Sequence, residues 1–449
     1  MTTITLFEYQ KRGYAELGLS VHHPAVERIA EINEASSAEL IRLGHQTLRA
    51  TQYVGVIRVG EVTFQILPKI DFDSIGDTEA ALGSHPYRAA VDSATKNLLY
   101  LLSYTQDLHI REQDVAPLLA QRSNWFELLT RLLAMDLHRL MKRGVEHAYV
   151  TVEETASVMR GRWQLERQLT RRPHVHHIFD VAYDEFSPDT PLNQIFRFVV
   201  ERLLLHTQDP GNRRLLRDLR EWLAPVTCRG IITEADLDRI HFTRLNERFR
   251  TAFNLARLFV ESQAFQLSAG QHQTYAFVFD MNRLFEEFVY RFIVRHRGRI
   301  LPQGWRDVRI REQAQGETFY LAQRLPNRDR VFRLYPDILF SRSSSGRPVL
   351  VLDTKYKRLA ANGGRVGIAE GDMYQMLAYA ARLDSPRTLL IYPHSAGAPR
   401  APVTFEMLGH PSRLVAATID LQQPLNNPDH LIQAFREMLR EVSHDGTIT

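Results

Sequence analysis

A chain of 449 residues is too long for one ordinary hydrophobic core and is expected to divide into two or three domains. Hydrophobic residues make up 44% and charged residues 24%, the balance of a soluble globular protein, and no apolar run approaches the ~20 residues that span a bilayer. A single cysteine, Cys228, excludes an internal disulfide framework and a thiolate metal cluster, while a net charge of +4 admits nucleic acid as a partner without requiring it.

The first residues, MTTITLFEYQKRG, lack the basic-then-apolar layout of a secretory signal, so a cytoplasmic protein is expected. Residues 1–80 read as a β-rich domain, either a plain small β domain or a surface that docks a partner. Ile4 to Phe7 is a short strand, and Tyr53 to Ile70 reads as two strands around a Gly60-Glu61 turn, halted by Pro68. Residues 81–270 then change to a helical period and form a mainly helical middle domain. The segments 94–105, 124–144 and 192–207 each repeat apolar residues at i, i+3 and i+4. Gly144 is placed to stop the second, and Asp189-Thr190-Pro191 to start the third. The HVHH stretch at 174–177 fits no standard zinc spacing and reads as surface histidines.

Residues 271–449 change pattern again. A helix is expected from Met281 to His296 with Asp280 as its N-cap. Strands follow at Phe319 to Ala322, from Val331 through Phe340, and at Val349 to Lys355. A helix at Gly371 to Arg382 and a strand at Thr388 to Tyr392 complete a compact α/β order. The segment PVLVLDTKY is apolar at every position until Asp353, as a strand central in a sheet would be. Upstream of it, Arg291, Arg295, Arg297 and Arg299 supply guanidiniums that suit phosphate, although a solvated helix face has the same composition.

Chemistry concentrates in this last segment. Side chains alternate along a strand, so Asp353 and Lys355 should share one face while Thr354 points away. Asp337, in YPDILF, precedes Asp353 by a spacing that lets two adjacent strands, joined by the SRSSSGR turn, bring both carboxylates together. Alone, Asp-x-Lys at a strand end is an ordinary ion pair; the Pro-Asp on an apolar segment upstream is what favours a site. Neighbouring carboxylates at the rim of an apolar sheet repel and lose hydration, and a hard cation relieves both costs. Mg²⁺ is expected, with Mn²⁺ as the alternative, because it takes few carboxylates and keeps water and phosphate oxygens. On the helix before the strands, Glu286 falls at the edge of the stripe Leu284, Phe285, Phe288, Val289, Phe292 and Ile293, so it can supply a third ligand, whereas Glu287 faces solvent. On the later helix Gln375 and Tyr379 are four apart and share a face, able to hydrogen-bond the site lysine or a DNA backbone, although a tyrosine at that spacing also suits a core.

These residues resemble the PD-(D/E)xK nuclease superfamily, and the Gln375/Tyr379 pair resembles its RecB-like branch. The likeness then extends along the chain. A hairpin ending in PKI (68–70), RGRW (160–163), YDEFSPDTPLNQIF (183–196), DMNRLFEEFV (280–289), YPDILF, LDTKYK and DMYQMLAYA occur in the order found in the McrC family of nuclease subunits. The resemblance implies an α+β multidomain fold with a C-terminal restriction-endonuclease-like domain. It implies a Mg²⁺-dependent DNA endonuclease subunit of a methylcytosine-dependent restriction complex. Asp337 and Asp353 would hold the metal and Lys355 would be catalytic, with Glu286 and Gln375 in support and Tyr379 at the substrate. The implied partners are double-stranded DNA and a hexameric McrB-type AAA+ GTPase, whose pore the N-terminal part of the McrC chain engages and whose GTPase it stimulates; self-association through the nuclease domain is a further expectation. No nucleotide is expected on this chain, which has no Gly-Lys dipeptide and hence no phosphate-binding P-loop. Two other readings stay open: a stand-alone RecB-like repair nuclease, and a non-enzymatic regulator of an NTPase.

Overall fold

The computed structural model describes residues 2–35, 39–69, 84–105, 124–172, 174–175, 177–261, 274–313, 318–357, 359, 367–395, 398–421 and 427–443. The chain separates into two compact units. One combines Met1–Gly55, Glu61–Glu112 and Val278–Thr449; the other combines Val56–Gly60 and Gln113–Phe277. The three segments read from the sequence are consecutive, whereas both units are assembled from separated stretches. Among the described residues no helix is long and apolar enough to cross a membrane.

The N-terminal stretch contains β1 (Thr2–Phe7), β2 (Lys11–Gly13), α1 (Pro24–Ala35), β3 (Ile41–Leu43), β4 (Thr47–Ala50), β5 (Tyr53–Val59), β6 (Val62–Leu67) and α2 (His85–Thr105). The expected hairpin is present: β5 and β6 are hydrogen-bonded neighbours. Gly60 turns between them at φ 57, a backbone conformation that only glycine adopts without cost. Ile70, at the expected end of the hairpin, lies outside the described residues. Strand β1 lies parallel to β6, with Thr2 opposite Val62 and Phe7 opposite Leu67. Helix α2 packs Tyr87, Ala90 and Ala94 on Phe7 and Leu67, so its first half belongs with the N-terminal strands.

The second unit holds α3 (Trp125–Met141), β7 (Ala148–Ala156), β8 (Arg162–Trp163), α4 (Leu165–Arg171), β9 (Phe179–Ser187), α5 (Pro191–His206), α6 (Pro210–Trp222), α7 (Glu234–Asp238) and α8 (Arg250–Glu261). Thr190 caps α5 through its side chain and Pro191 opens the helix, as the sequence suggested. The helical reading missed a three-stranded sheet, β7-β9-β8, in the middle of this unit. β8 is only two residues long, β7 has no buried residue, and β9 buries only Asp180, Val181 and Ala182, so no strand of the sheet carries a long buried apolar run. Gly161 of the RGRW turn has φ 67 and lies so close to β9 that an added Cβ would meet the Ala182 carbonyl oxygen at 2.4 Å.

After β10 (Thr274–Asp280) come α9 (Met281–Arg295), α10 (Arg297–Ile300), β11 (Val308–Glu312), β12 (Phe319–Arg324), β13 (Asp329–Leu334), β14 (Ile338–Arg342), β15 (Pro348–Thr354), α11 (Glu370–Leu383), β16 (Arg387–Pro393), β17 (Val403–Glu406), β18 (Arg413–Ile419) and α12 (Asp429–Ser443). Asp280 caps α9 as expected, and the whole predicted apolar stripe of that helix is buried. A six-stranded mixed sheet in the order β11-β14-β15-β16-β18-β17 forms the core of this region. β15 is antiparallel to β14 and parallel to β16, and it is buried from Val349 to Thr354. One expectation is corrected here. The strand read from Val331 through Phe340 is two strands: β13 pairs with β12 in a separate ribbon, and β14 joins the large sheet. The break falls at Tyr335–Asp337, where Pro336 has no N–H to continue a ladder.

Candidate functional site

The site is set by the register of β14 on β15. Ile338 lies opposite Leu352 and Leu339 opposite Val351, so one step further Asp337 faces Asp353. Asp353 is 1% exposed. Its Oδ2 lies 2.6 Å from Nζ of Lys355, and among the described residues its Oδ1 is buried with no hydrogen-bond partner. Asp337 sits in the bend just before β14, not inside a strand. There its Oδ2 accepts from the Thr354 backbone N–H at 2.7 Å and from the Thr354 hydroxyl at 2.8 Å. Thr354, expected to point away from the site, therefore anchors one of its two carboxylates.

Electrostatics follow from this packing. Burial, and then the facing Asp353 carboxylate, push Asp337 up to about 7. Asp353 is also raised by burial, with the Lys355 ammonium opposing the shift and Glu286 adding to it. Burial works to lower Lys355, but the Asp353 carboxylate more than offsets it, so the lysine is held charged. Glu286 is raised to about 7, first by burial and then by Asp337. The helix stripe thus brings Glu286 to the carboxylate pair, while Glu287 lies 3.7 Å from Arg291 one helical turn on.

Gln313 was not singled out in the sequence. Its side-chain amide donates to Glu286 at 3.0 Å and its backbone N–H donates to the Asp337 carbonyl at 2.6 Å, so it ties helix α9 to the bend. Asp372 and Lys357 were also passed over, although both stand inside quoted motifs. Lys357 Nζ lies 2.6 Å from Asp372 Oδ2, and the Tyr392 hydroxyl donates to that same oxygen at 2.8 Å. An acidic residue in the first turn of α11, next to a strand end carrying two lysines, was the available signal.

Gln375 and Tyr379 share a face, but they bond each other. The Gln375 amide donates to the Tyr379 hydroxyl at 2.8 Å, and that hydroxyl donates to the Tyr335 carbonyl at 2.8 Å. Tyr379 is 2% exposed within the core formed with Leu339, Val351 and Leu390. It is therefore placed to hold the backbone two residues before Asp337, not to meet a substrate.

Do these groups suit a divalent cation? Among the described residues no set of three or more His, Cys, Asp or Glu side chains gathers closely enough to hold an ion. Of the 174–177 stretch, His176 lies outside the described residues. The lack of such a set among the described residues leaves Glu286 at the margin of the site. A buried pair of carboxylates, one with an orphaned oxygen and both raised by burial, nonetheless fits a hard cation that takes few protein ligands and fills its remaining positions with water and phosphate. The residues present fit Mg²⁺ or Mn²⁺.

Comparison with known families decides the wider assignment. Residues 48–393 match the family model described as McrBC 5-methylcytosine restriction system component. The chain belongs to this family. The match takes in parts of both units and ends at the close of β16, so it includes Glu286, Asp337, Asp353, Lys355, Gln375 and Tyr379. Among solved structures, a chain from the half-complex of Thermococcus gammatolerans McrB AAA+ hexamers with bound McrC shares 23% identity at a TM-score of 0.67. The alignment covers 98% of this chain and 100% of that one. A chain of the cryo-EM structure of the Thermococcus gammatolerans McrBC complex shares 28% identity over 66% of this chain and 88% of that one, with a TM-score of 0.49. No curated protein sequence matches. The first of these likenesses runs the full length of the chain, so the mixed α+β fold is common to both proteins.

Proposed function

We propose that the chain is the DNA-cleaving subunit of a modification-dependent restriction complex, working with an AAA+ GTPase of the McrB type. The observation that carries this reading is the meeting of Asp337, Asp353 and Lys355 at the end of a buried central strand, in a chain of the McrBC family. Asp337 and Asp353 would hold Mg²⁺ or Mn²⁺, with Glu286 as a further acidic neighbour. Such an ion, when bound, supplies Lewis-acid activation of a phosphodiester and lowers the pKa of a water. The protein's own part is to fix the two carboxylates, exclude water from Asp353, and keep a protonated ammonium beside them. Lys355 is held charged, so it serves by donating hydrogen bonds to the attacking water or to charge developing on phosphate, not by taking a proton. Thr354 and Gln313 fasten the bend that presents Asp337.

The partner assignment follows from the family and from the McrC–McrB assembly of the structural relative. Recognition of the modified base would rest on the partner, and GTP would be spent there, since this chain has no P-loop. The test is cleavage of methylated plasmid by the purified chain with its AAA+ partner, GTP and Mg²⁺. Asp353→Ala should reduce cutting by more than about 100-fold, beyond what loss of an outer-shell partner alone causes. Undiminished cutting by that variant would overturn the site. Efficient cutting without any partner would point to a stand-alone repair nuclease.

A further inference from the structure

The β12–β13 ribbon belongs to no core. From Leu321 to Arg330 every residue is exposed, and among the described residues the ribbon pairs with no other strand. A free two-stranded hairpin is marginal in water, and its open edges invite pairing with other chains. Among the described residues this one is held at its base. Phe319 and Leu334 pack on the nuclease core, Arg382 donates to the Tyr320 carbonyl at 2.7 Å, and Tyr379 holds the Tyr335 carbonyl. Three residues beyond the end of β13 stands Asp337.

Charge and shape on the ribbon point the same way. Between Phe319 and Leu334 lie Arg324, Arg328, Arg330 and Arg333 against a single acid, Asp329, which pairs with Arg324 at 3.0 Å. Arg328, Arg330 and Arg333 are exposed. Phe332 lies among them with φ 58, a conformation that side chains with a β-carbon seldom take inside a strand, and it is 72% exposed. The pairs on either side, Tyr320 with Arg333 and Ala322 with Val331, keep one register, so the ladder continues past Phe332 while its ring stays in solvent. A large aromatic kept in water by a costly backbone conformation, amid guanidiniums, has no use in folding.

We infer that the ribbon is the duplex-gripping element of the nuclease, its arginines on phosphates and Phe332 wedged against a base step, delivering the backbone to Asp337. A two-stranded ribbon fits a DNA groove, and apolar wedges beside arginines part base steps and kink the helix. The inference rests on the nuclease reading above, and names how that site takes its substrate.

The test uses the full chain carrying Asp353→Ala, alone and with its AAA+ partner, so that bound DNA survives. Affinity for a short duplex is followed by fluorescence anisotropy across a salt series. Replacing Arg328, Arg330 and Arg333 by alanine should weaken binding and flatten the slope of log affinity against log salt by about 2 to 3, because each phosphate that an arginine neutralises adds ~0.9 to that slope. The triple lysine replacement should keep most of that slope, which guards against a misfolded variant. Phe332→Ala should leave the slope unchanged and abolish the fluorescence rise of 2-aminopurine placed in the duplex. An unchanged slope in the alanine variant overturns the inference. So does normal DNA binding combined with loss of the AAA+ partner, which would make the ribbon a protein-docking element. If the parent chain binds no duplex in either setting, the nuclease reading fails as well.

Discussion

Asp353 bears a cost that its neighbours only partly relieve. It is buried, faces a second carboxylate, and has one ammonium within reach and one oxygen with no partner among the described residues. Thr354 is the cheapest place to perturb this arrangement, because its hydroxyl and its backbone N–H both serve the same Asp337 oxygen. Thr354→Val removes only the hydroxyl. Mn²⁺ affinity, measured by calorimetry, should fall by about 10- to 100-fold, the usual effect of losing a partner that orients a ligand; an unchanged affinity would mean that Asp337 is not a ligand. Another buried carboxyl is that of Glu8. It accepts from the Tyr356 hydroxyl at 2.9 Å and the Lys69 backbone N–H at 3.1 Å, and burial pushes it up to about 8 against the pull of Lys69. The folded chain thus favours its neutral form. The stability this brings is complete below the ordinary carboxyl range and is lost as pH rises through about 8. The melting temperature should accordingly fall from about pH 5 to about pH 8 and level off above that, and Glu8→Gln should flatten that decline. A variant whose profile runs parallel to the parent's would show that Glu8 is not the group responsible.

At the scale of elements, helix α11 acts on the site through one hydroxyl. Tyr379 fastens the Tyr335 carbonyl, and with it the bend that ends in Asp337. Tyr379→Phe keeps the ring in the core but leaves the Tyr335 carbonyl and the Gln375 amide without their shared partner. Stability should drop by about 1–3 kcal/mol in urea denaturation. Metal-dependent cleavage should fall as well, because Asp337 loses its fixed approach. A loss of stability with full activity would make Tyr379 a core residue and nothing more. Much at this scale was readable beforehand. The N-cap Asp280, the buried stripe of α9 and the central strand β15 each follow from a local period or a local hydrogen bond. The β7-β9-β8 sheet and the split between β13 and β14 did not, because largely unburied strands carry no apolar run and a short bend is invisible to a hydrophobic pattern.

Across the whole molecule, the division of labour predicts that losing the chemistry spares assembly. Asp353 is buried at a strand end, so Asp353→Ala should leave capture of the AAA+ partner and stimulation of its GTPase at parental levels, as read by size-exclusion chromatography and phosphate release. Failure to assemble would mean that the region of the six-stranded sheet itself forms the docking face. The composition of the units also changes how truncations should be judged. Residues of α2 pack on β1 and β6 through Tyr87 and Phe7, and on α9 through Tyr104 and Phe288. A cut near 270, natural from sequence, would strip the first unit of a helix that it buries.

By itself the sequence determined which charged residues the fold would bring together at the end of the central strand. Asp337, Asp353, Lys355 and Glu286 were marked by residue type and by strand and helix periods, which are local properties of the chain. Only the tertiary structure decided what holds those groups in place. The bonds of Thr354 and Gln313 to Asp337, the withdrawal of Tyr379 into the core and the ribbon standing beside the site all depend on packing between distant segments. Their geometry is set by how sheets and helices meet, and no local pattern in the chain records it.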